Sequence, residues 1–118
     1  MTLKECYDRM HGNFADAKSR LMMESMVERF MFKFLEDGTM ASLRAAVESG
    51  NIPDSFREAH TLKGVAANLG FTELQAAASQ LTEQLRPQAA PADPALYAQV
   101  EQAYNLVVES IRAYQSEK

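Results

Sequence analysis

The stretch that decides the fold is NIPDSFREAHTLKGVAANLG, residues Asn51–Gly70. At about 100° of rotation per residue, five apolar side chains of this stretch fall on one arc of an α-helix. They are Ile52, Ala59, Leu62, Ala66 and Leu69. Asn51 can cap the start of such a helix, Pro53 is tolerated in its first turn, and Gly70 is typical of its end. The sequence therefore predicts a helix over residues 52–69.

Apolar residues elsewhere in the chain repeat at the same spacing of three and four, and no stretch alternates with the period of two typical of strands. The predicted helices lie near residues 2–11, 14–36 (continuous, or broken around Leu21–Ser25), 39–49, 52–69, 73–86 and 94–116. Short connections make neighbouring helices antiparallel. The predicted fold is all-α, an antiparallel up-down four-helix bundle with an additional N-terminal helix.

Cap and turn residues stand where these helices begin and end. The candidate N-caps, whose side chains can accept hydrogen bonds from free backbone N–H groups, are Asn13, Thr39, Asn51, Thr72 and Asp93. The glycines expected in a left-handed conformation after a helix are Gly12, Gly38, Gly50 and Gly70. Both sets agree with the apolar pattern.

Length and charge limit the classes of function. The 118 residues suit a single domain over residues 1–118, since the only Pro/Ala-rich linker, Pro87–Pro94, is too short to separate two. The net charge is −4, and no Lys/Arg block is present. This composition argues against nucleic acid and anionic membrane as partners.

Targeting and metal-site signals are also missing from the pattern. No apolar run has the length of a membrane span, and the first residues lack the apolar segment of a signal peptide. Cys6 is the only cysteine, so the expected compartment is the reducing cytoplasm. His11, His60 and Cys6 do not have the spacing of metal ligands. We expect no bound metal.

Gly64 is the residue that departs from the helical pattern. A glycine in the middle of a helix costs about 1 kcal/mol relative to alanine, and close packing between helices is the ordinary reason to keep one. Gly64, however, falls about 160° from the centre of the apolar arc, on the solvent side of the predicted helix. Packing inside the bundle is therefore a poor explanation.

His60 lies one turn before Gly64 on the same outer face. Arg57 and Ala67 share this face, and Lys63 lies at its edge. An isolated histidine is usually an ordinary surface residue. Here, a bare patch beside an exposed imidazole would let the backbone of another protein approach, and Lys63 could place its ammonium against an anion on the ring. The pattern favours a nucleophile that a bulky partner visits.

Residues Ala59–Gly70, AHTLKGVAANLG, resemble the signature of histidine-containing phosphotransfer (HPt) domains of phosphorelays. The histidine, leucine, lysine and both glycines stand at the spacing of that family. Residues 30–37 (FMFKFLED), Leu43–Val47 and the Gly50–Asn51 turn are similar to its upstream segments, and His11–Asn13 more weakly to its N-terminal turn. The resemblance covers about residues 1–87.

This resemblance implies a four-helix bundle with an exposed active histidine on a central helix. In the family, the imidazole Nε2 attacks the acyl phosphate on a receiver-domain aspartate and later passes the phosphoryl group to another receiver. Carried over, His60 is the phosphoacceptor, Lys63 the stabilising cation and Gly64 the clearance for docking. The chain is then a phosphocarrier rather than an enzyme and needs no cofactor. Mg²⁺ and most catalytic groups belong to the receiver.

Two residues leave alternatives open. Thr82 stands where many family members have a Gln or Glu facing the histidine, with Arg86 nearby. Either its hydroxyl substitutes for the amide or the ring is oriented in another way. Phe32 lies off the apolar stripe of its helix. It is either covered by the N-terminal helix or part of the receiver-docking surface.

The predicted partners are receiver domains of response regulators, with a hybrid histidine kinase as a further candidate, and we expect a monomer. A kinase activity is not supported, because the sequence has no glycine-rich phosphate loop. The competing interpretation is an HPt-like adaptor that binds receivers without phosphotransfer. The sequence leaves open the upstream kinase, the downstream regulator, the direction of transfer, and whether the chain is a free-standing shuttle or part of a hybrid kinase.

Overall fold

Seven α-helices and no strand make up the computed structural model, which describes residues 1–118. The helices are α1 (Leu3–Arg9), α2 (Phe14–Leu21), α3 (Glu24–Phe34), α4 (Thr39–Glu48), α5 (Ile52–Leu69), α6 (Thr72–Leu85) and α7 (Pro94–Ser116). The all-α prediction is confirmed, and the bounds of α5 and α7 coincide with the predicted ones. None of the helices combines the length and the apolar character required to cross a bilayer.

The helical bundle is built from successive antiparallel neighbours. Helix α5 packs against α4 and α6, and α6 packs against α7. Helices α3 and α4 run one after the other along α7 in the opposite direction. Glu28 accepts a hydrogen bond from Lys118 near the end of α7, and Arg44 pairs with Glu101 nearer its start. The bundle therefore has four segments. Helices α3 and α4 together form the first, and α5, α6 and α7 form the other three.

The long N-terminal segment is broken, which settles the alternative left open by the sequence. Helix α2 ends because Met22 adopts a left-handed conformation with a φ of 79°, and Met23 is extended before α3 begins. Two short helices, α1 and α2, therefore precede the bundle, where the prediction had one additional helix. Met22 is 82% exposed.

Three of the predicted helix caps are confirmed and two are wrong. The side chains of Asn13, Asn51 and Asp93 accept hydrogen bonds from backbone N–H groups at the starts of α2, α5 and α7. Thr39 and Thr72 are instead the first residues of α4 and α6. A capping side chain must precede the first helical residue. The N-cap position of α4 is Gly38, which has no side chain to cap with, and Asp37 Oδ1 accepts from the Thr39 N–H at 2.8 Å.

The glycines divide in the same way. Gly50 and Gly70 are left-handed, each with a φ of 70°, as predicted. Gly12 and Gly38 are not, so the prediction is wrong for them. At the end of α1 the left-handed residue is His11, with a φ of 57°. Gly12 is needed for close packing instead, because a Cβ there would lie 2.9 Å from both the Gly70 carbonyl oxygen and a ring carbon of Tyr7.

One cluster of 25 buried apolar residues, with members from all seven helices, forms the core. Helix α1 and the N-terminal turn, which joins α1 to α2, are held to the end of α5 by two hydrogen bonds. The Tyr7 hydroxyl donates to the Leu69 carbonyl at 2.7 Å, and the Asn13 N–H donates to the Gly70 carbonyl at 2.8 Å. Cys6 is fully buried between α1 and α7, 3.4 Å from the Ser110 carbonyl oxygen. Burial raises the pKa of its thiol to about 11.

Gly70 and Gly50 provide a test of how the N-terminal turn is joined to α5. Both are left-handed, but a Cβ at Gly50 would meet nothing within 4 Å, whereas one at Gly70 would lie 2.6 Å from the Asn13 carbonyl oxygen. We expect Gly50→Ala to lose about 1–2 kcal/mol of unfolding free energy through strain alone. Gly70→Ala should lose distinctly more, because it adds the clash. Equal losses in urea unfolding would contradict the close packing of this turn.

Candidate functional site

The central helix α5 buries one face and exposes the other. Its fully or almost fully buried side chains are Ser55, Ala59, Leu62, Ala66 and Leu69. Its exposed residues from the second turn onward are Arg57, His60, Thr61, Gly64 and Asn68. The helical-wheel prediction of the two faces is confirmed, except that Ile52 is only half-buried at the start of the helix.

Gly64 lies on open surface. A Cβ built on this residue would meet no atom within 4 Å. Packing between helices therefore does not explain the glycine, as the sequence indicated. Ala67, one turn further, is half-buried and has only a methyl group to present. Together, Gly64 and Ala67 leave the helix surface beside His60 without a large side chain.

The His60 imidazole is exposed and makes no hydrogen bond within the chain. Its ring stacks on Phe56, one turn earlier on α5, with 6.0 Å between the ring centroids and 26° between the ring planes. Phe56 thus supports one side of the imidazole without engaging a ring nitrogen. Both nitrogens remain available to a ligand or a partner.

Charged side chains from α5 and α6 surround this pair of rings. Lys63 is half-buried and has no ion-pair partner in the chain. At the C-terminal end of α6, the guanidinium of Arg86 lies 5.4 Å from the centre of the Phe56 ring and donates two hydrogen bonds to Glu83 Oε2, at 3.0 and 2.7 Å. The hydrogen bond from Arg86 lowers the pKa of Glu83, and the charges of Arg86, Lys63 and His60 lower it further. Glu83 is therefore an anion within the electrostatic reach of both Lys63 and His60.

Arg57 lies on the same face but is already engaged. Its guanidinium pairs with Asp54 at 2.8 Å and with Glu58 at 3.3 Å. The predicted position of Arg57 is confirmed, and its charge is largely balanced by these two neighbours.

Comparison with known proteins identifies the family. The family model of the Hpt domain matches residues 25–110, most of the chain. The chain belongs to the Hpt domain family. No curated protein and no solved structure gives a significant match. Hpt domains carry phosphoryl groups on histidine in two-component phosphorelays and interact with receiver domains, and they are carrier modules rather than enzymes. The matched range contains all of α4, α5 and α6 and nearly all of α3.

Within this Hpt domain, the prediction for Thr82 needs correction. The side chain is fully buried, and its hydroxyl donates to the Ala78 carbonyl at 2.7 Å, one turn back on α6. A short side chain on the inner flank of α6 is covered by the neighbouring helices, so the hydroxyl satisfies itself on its own backbone. Thr82 therefore does not contact the His60 ring in place of an amide, and it is no part of the exposed surface.

For Phe32 the structure adds a contact that the sequence did not indicate. Its ring packs on Tyr114 of the C-terminal helix, with 6.0 Å between the centroids, and it is half-buried. This aromatic contact is made with α7 and not with α5. The reason is that α7 is long enough to reach back along α3.

Phe56 and Glu83 are the residues that sequence reasoning missed. Phe56 precedes His60 by four positions, and Glu83 precedes Arg86 by three, so each pair has the spacing of helical neighbours. That spacing could have indicated both contacts. The bridge between the pairs, from Arg86 to Phe56, joins two helices and has no signal in the sequence.

The structure offers no group of three or more His, Cys, Asp or Glu side chains close enough to hold a metal ion. The cavity nearest to the C-terminal half of α5 is a groove of about 340 Å³. It lies between α2, α3 and α5, with Leu21, Phe30 and Val65 among its lining residues.

The open surface at Gly64 predicts that alanine stabilises the Hpt domain there. Gly64→Ala should raise the unfolding free energy by up to about 1 kcal/mol, because it removes the helix-propensity penalty and meets no atom. Gly12→Ala is the matched contrast, since its methyl group would clash with Tyr7 and the Gly70 carbonyl and should destabilise. Thermal unfolding of both variants measures the difference. A destabilised Gly64→Ala protein would place Gly64 in a packed interface.

Proposed function

We propose that this Hpt domain accepts a phosphoryl group on His60 from a receiver-domain aspartate and passes it to the aspartate of another receiver. The observation that carries the proposal is an exposed imidazole, free of hydrogen bonds, beside the bare surface at Gly64. The helix that presents both residues lies within the matched Hpt segment. Family membership supports the class of reaction, and the geometry of α5 supports His60 as its residue.

The reaction is a reversible displacement at phosphorus. The lone pair of Nε2 on the neutral imidazole forms the P–N bond, and the P–O bond to the receiver aspartate breaks, leaving its electron pair on the carboxylate. Nδ1 keeps its proton, so the phosphorylated ring carries a positive charge. In the forward step, a second aspartate carboxylate attacks phosphorus and the P–N electron pair returns to Nε2. A good leaving group at both ends makes the phosphoryl group transferable.

Lys63 stabilises the phosphoryl oxygens during transfer. It stands three residues after His60, one helical turn away, and its ammonium has no carboxylate partner in the chain. A free cation beside the ring can form a charge-assisted hydrogen bond with the incoming phosphoryl group. The receiver supplies Mg²⁺ and the other catalytic groups, as a division of labour between the two proteins.

Arg57, Gly64 and Ala67 surround His60 and Lys63 on the docking face, which we define as these five residues. The small side chains allow close approach of a receiver backbone, and Arg57 borders the contact. We propose that the whole chain forms one monomeric module, because its single core cluster includes residues of α1 and α2 outside the matched segment. We also propose that it acts in the cytoplasm, with receivers and a hybrid histidine kinase as partners.

His60 can be tested against the only other histidine. Incubation with phosphorylated receivers should give an acid-labile, base-stable label, and His60→Gln should abolish it without changing helicity. His11→Gln is the control and should retain the label, because His11 lies in the α1–α2 turn and pairs with Glu73 at 2.7 Å.

Two outcomes would refute this assignment. A label that survives in His60→Gln, or that maps to His11, would place the phosphoacceptor elsewhere. Receiver binding without any label in the wild-type protein would instead favour the adaptor that docks without phosphotransfer.

The role of Gly64 in docking predicts an effect on transfer that is separate from stability. Gly64→Gln should fold, since the position is open, but its side chain should obstruct a receiver over His60 and slow transfer by about tenfold or more. Gln80→Ala on α6, also an exposed position, serves as a control for a surface change away from α5. Undiminished transfer by a folded Gly64→Gln variant would show that receivers do not dock over this turn.

A further inference from the structure

The ion pair between Glu83 and Arg86 lies beside the proposed phosphoacceptor and has no part in the mechanism above. It is connected to His60 through one aromatic ring. Arg86 lies 5.4 Å from the centre of the Phe56 ring, and the His60 imidazole stacks on the same ring at 6.0 Å. Arg86 is the C-cap residue of α6, and half of its side-chain surface is exposed.

The charges explain why this arginine can change partner. In the unphosphorylated protein Glu83 Oε2 accepts both hydrogen bonds from Arg86. A phosphoryl group on His60 brings close to two negative charges at neutral pH. These charges repel Glu83, which already lies within the electrostatic reach of His60, and attract the guanidinium. Phosphate oxygens also match the fork of an arginine better than a single carboxylate oxygen does.

Arg57 is a weaker candidate for the same role. It has two acidic partners, Asp54 and Glu58, whereas Arg86 has only Glu83. Moving Arg57 would leave two carboxylates without a cation next to a new anion. Moving Arg86 would leave only one carboxylate, that of Glu83, without a cation.

We propose that Arg86 is a second phosphoryl-binding cation, held by Glu83 in the unphosphorylated protein and released to the phosphoryl oxygens when His60 is phosphorylated. The proposal rests on His60 as the phosphoacceptor. Only hydrogen bonds are exchanged: two to Glu83 break, and new ones to phosphoryl oxygens form. Glu83 thus opposes phosphorylation and Arg86 favours it, so that together they set the fraction of phosphohistidine at equilibrium with a receiver.

NMR can observe the change of hydrogen-bond partner at Arg86 directly, on protein that is phosphorylated without a receiver. Phosphoramidate, a small phosphoryl donor, would phosphorylate His60 in a His11→Gln background, where it is the only histidine. The Arg86 Nε–H resonance, assigned by its loss in Arg86→Gln, should shift on phosphorylation. In Glu83→Gln it should already be displaced before phosphorylation. An Arg86 resonance that does not move on phosphorylation, or a His60 that phosphoramidate does not label, overturns the proposal.

The functional consequence is measured by partition of label between a receiver and His60. Arg86→Gln should lower the equilibrium fraction of phosphohistidine by about twofold to fivefold, and Glu83→Gln should raise it, within the range of exposed charge pairs. Lys4→Gln and Asp8→Asn make the same changes of charge in an exposed pair on α1 and should leave the partition unchanged. Arg86→Lys, which keeps the charge, should retain part of the effect. An Arg86→Gln effect no larger than that of Lys4→Gln overturns the proposal.

The two hypotheses fail in different ways. If no receiver transfers label to His60, the relay function fails, while the phosphoramidate experiment still decides the exchange of Arg86. If receivers transfer label normally but the Arg86 resonance stays fixed, the relay stands and the exchange is wrong.

Discussion

The packing of one face of α5 against α4 and α6 is the constraint on which the rest of the structure depends. Ala59, Leu62 and Ala66 are completely buried on that face, and two of the three are alanines, which allow neighbouring helices to approach closely. Burial of this face fixes the rotation of α5 about its axis, so that His60 and Gly64 must point to solvent. The exposed imidazole is thereby held on a rigid element rather than on a loop.

Much of this arrangement could be predicted because helical periodicity alone decides which residues share a face. The spacing of apolar residues placed His60 and Gly64 outside and the core arc inside, and both placements are observed. Periodicity gives the direction of a side chain around its helix axis, but not how deeply neighbouring helices bury it. The apolar spacing puts Thr82 on a flank of α6, and only the positions of the neighbouring helices show that this flank is buried.

Contacts between distant parts of the chain could not be predicted from the sequence. The Phe32–Tyr114 contact depends on how far α7 extends along α3, which no local pattern specifies. The cluster at His60 has the same character, since the i,i+3 and i,i+4 spacings within α5 and α6 are visible in the sequence but the bridge from Arg86 to Phe56 is not. The fold and the exposed position of His60 could thus be predicted from the sequence, and the charged groups around it could not.

Because Cys6 is buried, the reactivity of its thiol reports whether the surrounding helices are packed together. The thiol is fully covered where α1 meets α7, and its raised pKa keeps it protonated at neutral pH. Because the thiolate is the reactive form, alkylating reagents and oxidants react with it only when this region opens. The rate of thiol modification therefore measures the opening of the N-terminal helix, and a phosphorylated protein can be compared with an unphosphorylated one without adding a label.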